Sequence, residues 1–80
     1  MDLAPHSAVT PKAAAEVLWT RSQGGCRPGA FHQRLIDAIT VATSDSRELL
    51  RLGFPAYVAA VELAKGDGGV DALTRAASEV

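Results

Sequence analysis

The chain contains no asparagine, one cysteine, one tryptophan, one tyrosine and two phenylalanines among 80 residues. A single cysteine (Cys26) excludes an internal disulfide framework and fits a reducing compartment. No apolar run approaches the ~18 residues needed to span a bilayer. The first residues, Met1-Asp2-Leu3-Ala4-Pro5-His6, lack the cationic and apolar regions of a signal peptide. A cytoplasmic location is therefore expected. Charge of one sign is also missing, because eight Lys and Arg face nine Asp and Glu for a net charge of −1. That is a poor footprint for a nucleic-acid binder, whose affinity rests largely on neutralising phosphates.

What is present is a globular composition, 48% apolar and 21% charged, in a length that holds one domain. The apolar share overstates the core. Fifteen of those residues are alanine, and 22 large apolar side chains remain once Cys26 is set aside. A core of this size rarely supplies more than about 3–5 kcal/mol, which favours a partner or self-association.

Residues 1–9 carry no periodicity and read as a flexible leader, with a single helical domain over 10–80. Thr10-Pro11 has the form of an N-cap and first helical residue, and the helix is expected to run from Pro11 to Gln23, stopping at Gly24-Gly25. Ala14, Val17 and Leu18 share one face, which Ala15 and Trp19 widen; Lys12, Glu16, Thr20 and Gln23 form its polar side. A face this broad is well buried or touches two bodies. Trp19 is either an edge-of-core residue or a partner anchor, and the core is the commoner place for it. The GGCRPG segment is a loop.

A second helix is expected over Ala30–Thr43. Phe31, Leu35, Ala38, Ile39 and Ala42 lie inward, Gln33, Arg34, Asp37 and Thr40 outward, and Val41 sits among the latter without a burial partner. Asp45 and Glu48 suggest a capping box for a short third helix, Ser46–Leu52, with Arg47 and Arg51 on its outer side. Gly53 caps it, and Pro55 opens a fourth helix ending at Lys65. Glu62 is the one charge between Ala56 and Ala64, so this helix belongs at the centre of the bundle or in an oligomer contact. A glycine-rich hinge, Gly66 to Gly69, leads to a fifth helix, Val70–Val80, with Val70, Leu73, Ala76, Ala77 and Val80 on one side. No strand alternation occurs, and the expectation is an all-α bundle of four or five short helices.

Candidate chemistry is sparse. Cys26 beside Arg27 has the setting of an activated thiol, and His32 is the nearest base, but the incidental thiol is the commoner reading. Cys26, His32 and His6 do not have paired metal-ligand spacing. His32, near the start of a helix, reads as a neutral, hydrogen-bonded histidine. No cofactor, metal or small-molecule ligand is expected. Arg47 and Arg51, one turn apart, with Arg34, make a candidate patch for anions or nucleic acid; the plainer alternative pairs Arg51 with Glu48 on a solvated face. A helix-turn-helix reader would place Ala56, Tyr57, Val58 and Ala59 against base edges, where they offer almost no hydrogen bonds.

The pattern Phe31-x-x-x-Leu35-Ile36-x-Ala38-Ile39, followed by Arg47-x-Leu49-x-Arg51-Leu52-x-Phe54-Pro55-x-Tyr57-Val58-x-Ala60-Val61, resembles small helical proteins of actinobacteria and their phages. These are largely uncharacterised, so the resemblance implies a setting and no site residue. It implies a phage-related regulator, inhibitor or accessory factor. The expected function is a non-enzymatic interaction module that self-associates or binds a protein, with Ala15, Trp19 and Val41 as interface residues. The alternative is a small nucleic-acid-binding transcriptional regulator using Arg34, Arg47 and Arg51.

Overall fold

Thr10 begins the first helix by accepting a hydrogen bond from the Ala13 amide at 3.1 Å, with Pro11 in the first turn. In the computed structural model, which describes residues 9–78, five helices follow: α1 Pro11–Thr20, α2 Ala30–Val41, α3 Ser44–Gly53, α4 Pro55–Lys65 and α5 Gly69–Ser78. The described residues contain no strand, and the protein is an all-α bundle of short helices. Val9, expected in the leader, is buried in the core. Val80, expected on the inner side of α5, lies outside the described residues.

Several helix boundaries differ from the sequence reading for local reasons. α1 ends at Thr20, three residues before Gln23, because the turn starts at Arg21 and Ser22 takes a positive φ of 60° ahead of Gly24 and Gly25. α2 ends at Val41. Ala42 and Thr43 are extended, and the Thr43 hydroxyl accepts from the Ser46 amide at 3.3 Å, so Thr43 caps α3 in place of Asp45. Asp45 instead occupies the first turn, where its charge suits the helix dipole. α5 starts one residue early, at Gly69.

α4 sits at the centre, in contact with each of the other four helices, and α1 packs mainly on α5 and α4. Val58, Ala59, Ala60, Val61 and Ala64 of α4 are buried. They meet Ala13, Ala14, Val17 and Leu18 of α1, Leu35, Ile36 and Ile39 of α2, and Leu73 of α5 in one core. Ile36, unplaced by the helix-two pattern, is buried, whereas Phe31 and Ala38, placed inward, are exposed. α3 buries no residue. Leu50, with Phe54 just beyond the helix, packs against the core, while Leu49 and Leu52 face outward.

Two glycines are fixed by proximity. A Cβ on Gly69 would overlap the Leu63 carbonyl, and a Cβ on Gly25 would overlap that of Ala15. Gly69 is therefore the contact that lets α5 start against α4, while Gly66, Asp67 and Gly68, the rest of the segment read as a hinge, are exposed. Gly53 has open space around it. Replacing Gly69 by Ala should cost about 1–3 kcal/mol in urea denaturation. Gly53→Ala, at the end of α3, should be neutral or stabilising by up to about 1 kcal/mol.

Candidate functional site

Glu16 is the one buried charged residue among those described, 5% exposed in the interior of α1. It was expected on that helix's wet side. α1 has little wet side, because its other buried residues, Ala13, Ala14, Val17 and Leu18, flank Glu16 and face α5, α4 and α2. A buried carboxylate requires donors. Tyr57 of α4 donates its hydroxyl to Glu16 Oε1 at 2.8 Å. His32, in the first turn of α2, brings Nδ1 to 3.2 Å from the same oxygen and 3.2 Å from the Tyr57 hydroxyl. Three helices thus converge on one carboxylate oxygen. Burial, then the hydrogen bond to Glu16, pushes the Tyr57 hydroxyl from its usual 10.0 up to about 12. The imidazole lies between the rings of Tyr57 and Phe31, 4.9 and 5.7 Å away between centroids. Phe31 also touches Phe54, at 5.9 Å.

The second polar cluster joins α3 to α4. Arg51 binds Glu62 through two parallel hydrogen bonds, 3.0 and 2.7 Å, and Glu48 through two more, 3.3 and 2.9 Å. The Arg47 guanidinium stands 3.9 Å from Glu62. These contacts hold the Glu62 carboxyl below its ordinary range, chiefly through the Arg51 hydrogen bond, and raise the Arg51 pKa further. The pairing of Arg51 with Glu48 was legible one turn apart; the partner on α4 was not. Arg34 is exposed on α2 and forms no ion pair among the described residues. The arginines anticipated as one patch are thus divided between an internal pair, largely neutralised by glutamates, and a separate surface position.

Of the expected interface residues, Ala15 is half-buried, and its carbonyl accepts the Cys26 amide at 3.1 Å, so the chain's own loop lies over it. Trp19 is 40% exposed at the rim of the bundle and not in the core, with the Arg27 guanidinium 5.8 Å from its ring centre. Val41 is 81% exposed. Cys26 is exposed, and Pro28 of the same loop is buried. Among the described residues no three His, Cys, Asp or Glu side chains cluster as metal ligands, and no helix is long and apolar enough to cross a membrane. His6 lies outside the described residues. A shallow groove of about 290 Å³ opens over Val17, Ile36 and Val61, rimmed by Arg21 and Asp37. No protein-family model, curated protein or solved structure matches the chain.

Removing the Tyr57 hydroxyl leaves Glu16 short of a donor inside the bundle. Tyr57→Phe should therefore cost about 1–3 kcal/mol in chemical denaturation at neutral pH. The hydroxyl's raised pKa in the folded state means that its contribution is complete below pH 10.0 and is lost as pH rises through about 12. The difference in stability between wild type and Tyr57→Phe should shrink across that window.

Proposed function

We propose that the protein is a non-enzymatic helical interaction module whose partner is a second copy of itself, docked through α3. One observation carries this reading. α3 buries nothing in its own bundle, yet holds Leu49 and Leu52, one turn apart, 71% and 84% exposed. Phe31, 63% exposed, meets Phe54 just beyond the C-terminal end of α3 in a tilted contact and adds a further exposed apolar side chain near that end of the helix. Exposed large side chains occur singly on any protein, but leucines paired along a helix that lacks its own core are unusual.

A second copy suits this surface because α3 is complementary to itself when antiparallel. A twofold axis through its middle sets the two helix dipoles in opposition and brings the outward Leu49 and Leu52 of each copy together. Ten residues span only about 15 Å, so α3 alone falls short of the roughly 1,200 Å² of a standard interface. Phe31 must contribute, and the association is of the weak, reversible kind. Trp19 and Val41, expected in this role from sequence, lie at other edges of the bundle and would belong to a further contact. A nucleic-acid regulator is the weaker reading, because Arg51 and Arg47 already face glutamates. The setting implied by the resemblance to actinobacterial and phage proteins would make such a dimer a regulator or inhibitor.

Sedimentation velocity over a range of concentrations, with reductant to keep Cys26 reduced, tests the proposal. A monomer–dimer equilibrium is expected. Leu49→Glu with Leu52→Glu should weaken it by at least about tenfold while leaving the folding stability within roughly 0.5 kcal/mol. A wild-type chain that stays monomeric at the highest concentration would overturn self-association.

A further inference from the structure

The hydrogen-bond geometry around Glu16 determines which nitrogen of His32 carries the proton. Tyr57 has one hydroxyl proton, and at 2.8 Å its best acceptor is Glu16 Oε1. Were that proton turned toward His32 Nδ1, the imidazole lone pair would face the carboxylate at 3.2 Å with no proton between them. Two acceptors would then oppose each other, and a buried anion would lose its shortest donor. The arrangement that satisfies all three groups has Tyr57 donating to Glu16 and His32 Nδ1–H donating to the Tyr57 hydroxyl oxygen, with the carboxylate 3.2 Å away. Nε2 is then the nitrogen with the free lone pair. It forms no hydrogen bond among the described residues. Because Arg47 Nε is the sole buried, unpartnered side-chain nitrogen or oxygen among the described residues, Nε2 reaches solvent. The His32 side chain is 31% exposed, held between Tyr57 and Phe31.

An acceptor held by a buried carboxylate, fixing one ring nitrogen as N–H and leaving the other open, is the kind of arrangement that orients reactive and ligating histidines. From it we infer that His32 Nε2 is a nucleophilic modification site for activated acyl donors, with Glu16 as its positioning residue. The Nε2 lone pair attacks the acyl carbon, and the bond to the leaving group breaks with its electron pair on the departing anion. The acylated ring then sheds its Nδ1 proton to the Tyr57 oxygen as the Tyr57 hydroxyl passes its own proton to the Glu16 carboxylate. The products are a neutral N-acyl imidazole, a protonated Glu16 and the leaving anion, so charge and protons balance. Glu16 thus acts twice through Tyr57, orienting the ring before the attack and receiving the relayed proton after it. This inference does not depend on self-association.

Diethylpyrocarbonate is the probe, used on the full chain carrying Cys26→Ser to remove the competing thiol. Absorbance follows the ethoxycarbonyl imidazole, and mass spectrometry separates His32 from His6. His32 should react at least about tenfold faster than N-acetylhistidine methylamide at the same pH, a factor of the size that carboxylate partners of histidines supply. Glu16→Gln, confirmed folded by circular dichroism, should bring it to the rate of that compound. Nitrogen-15 NMR of unmodified wild-type protein, which needs no variant, should show the Nδ1–H tautomer above the pH where the ring is charged. A His32 rate equal to or below that of the free derivative, or an Nε2–H tautomer, would overturn the assignment.

Discussion

Close approach to α4 is the constraint on which this fold depends. With 22 large apolar side chains in 80 residues, the protein cannot fill wide gaps between helices. It narrows the gaps instead. Ala59, Ala60 and Ala64 on α4, with Ala13 and Ala14 on α1, are buried at contacts where a larger side chain would hold the helices apart. Gly69 carries the same device to its limit, since its missing side chain leaves room for the Leu63 carbonyl. Close packing of this kind recovers dispersion contacts that volume alone would not provide. It also leaves little tolerance, because each small residue is set by the backbone opposite it.

Tight packing around α1 has a polar consequence. Glu16 is carried into the interior with the alanines beside it, and its charge is met by the Tyr57 hydroxyl, with the His32 ring beside both. Tyr57 and His32 join α4 and α2 to α1 at one carboxylate oxygen, where a hydrophobic contact would be insensitive to direction. The cluster is therefore directional. It fixes the start of α2 and with it the outward placement of Phe31. The Arg51 cluster plays a comparable part for α3, which has few buried contacts and is joined to α4 by guanidinium–carboxylate pairs as well as by Leu50 and Phe54. Such half-exposed pairs contribute little each, so α3 is the helix most weakly held to the bundle.

Much of this was legible because its causes are local. Thr10-Pro11 and Pro55 mark helix starts through φ restriction and missing amides, and the nearly charge-free run of α4 marked it for the bundle centre or an oligomer contact. Glu16 was misplaced because a helical wheel assigns charges outward by default. Its clue was the breadth of the α1 apolar face, which left no side for a carboxylate to escape. The Arg51–Glu62 pair spans eleven residues and two helices, so no spacing rule reaches it. Phe31 fitted the inward pattern of α2 but stands at the helix start, past the edge of the core, where Phe54 and the His32 ring cover part of it. Periodicity gives the direction of a side chain and not how far along its helix the core extends.

We propose that α1, α2, α4 and α5 share one core while α3, with no fully buried residue, is covered by a second copy of the chain. Amide hydrogen exchange at low and high protein concentration addresses it most directly. The account predicts that the amides of α4, α1 and α5 exchange slowly and alike at both concentrations. Those of α3 should exchange faster when dilute and become protected as concentration rises. Amides of α3 as slow as those of α4 in dilute solution, or fast and unchanged at high concentration, would contradict it.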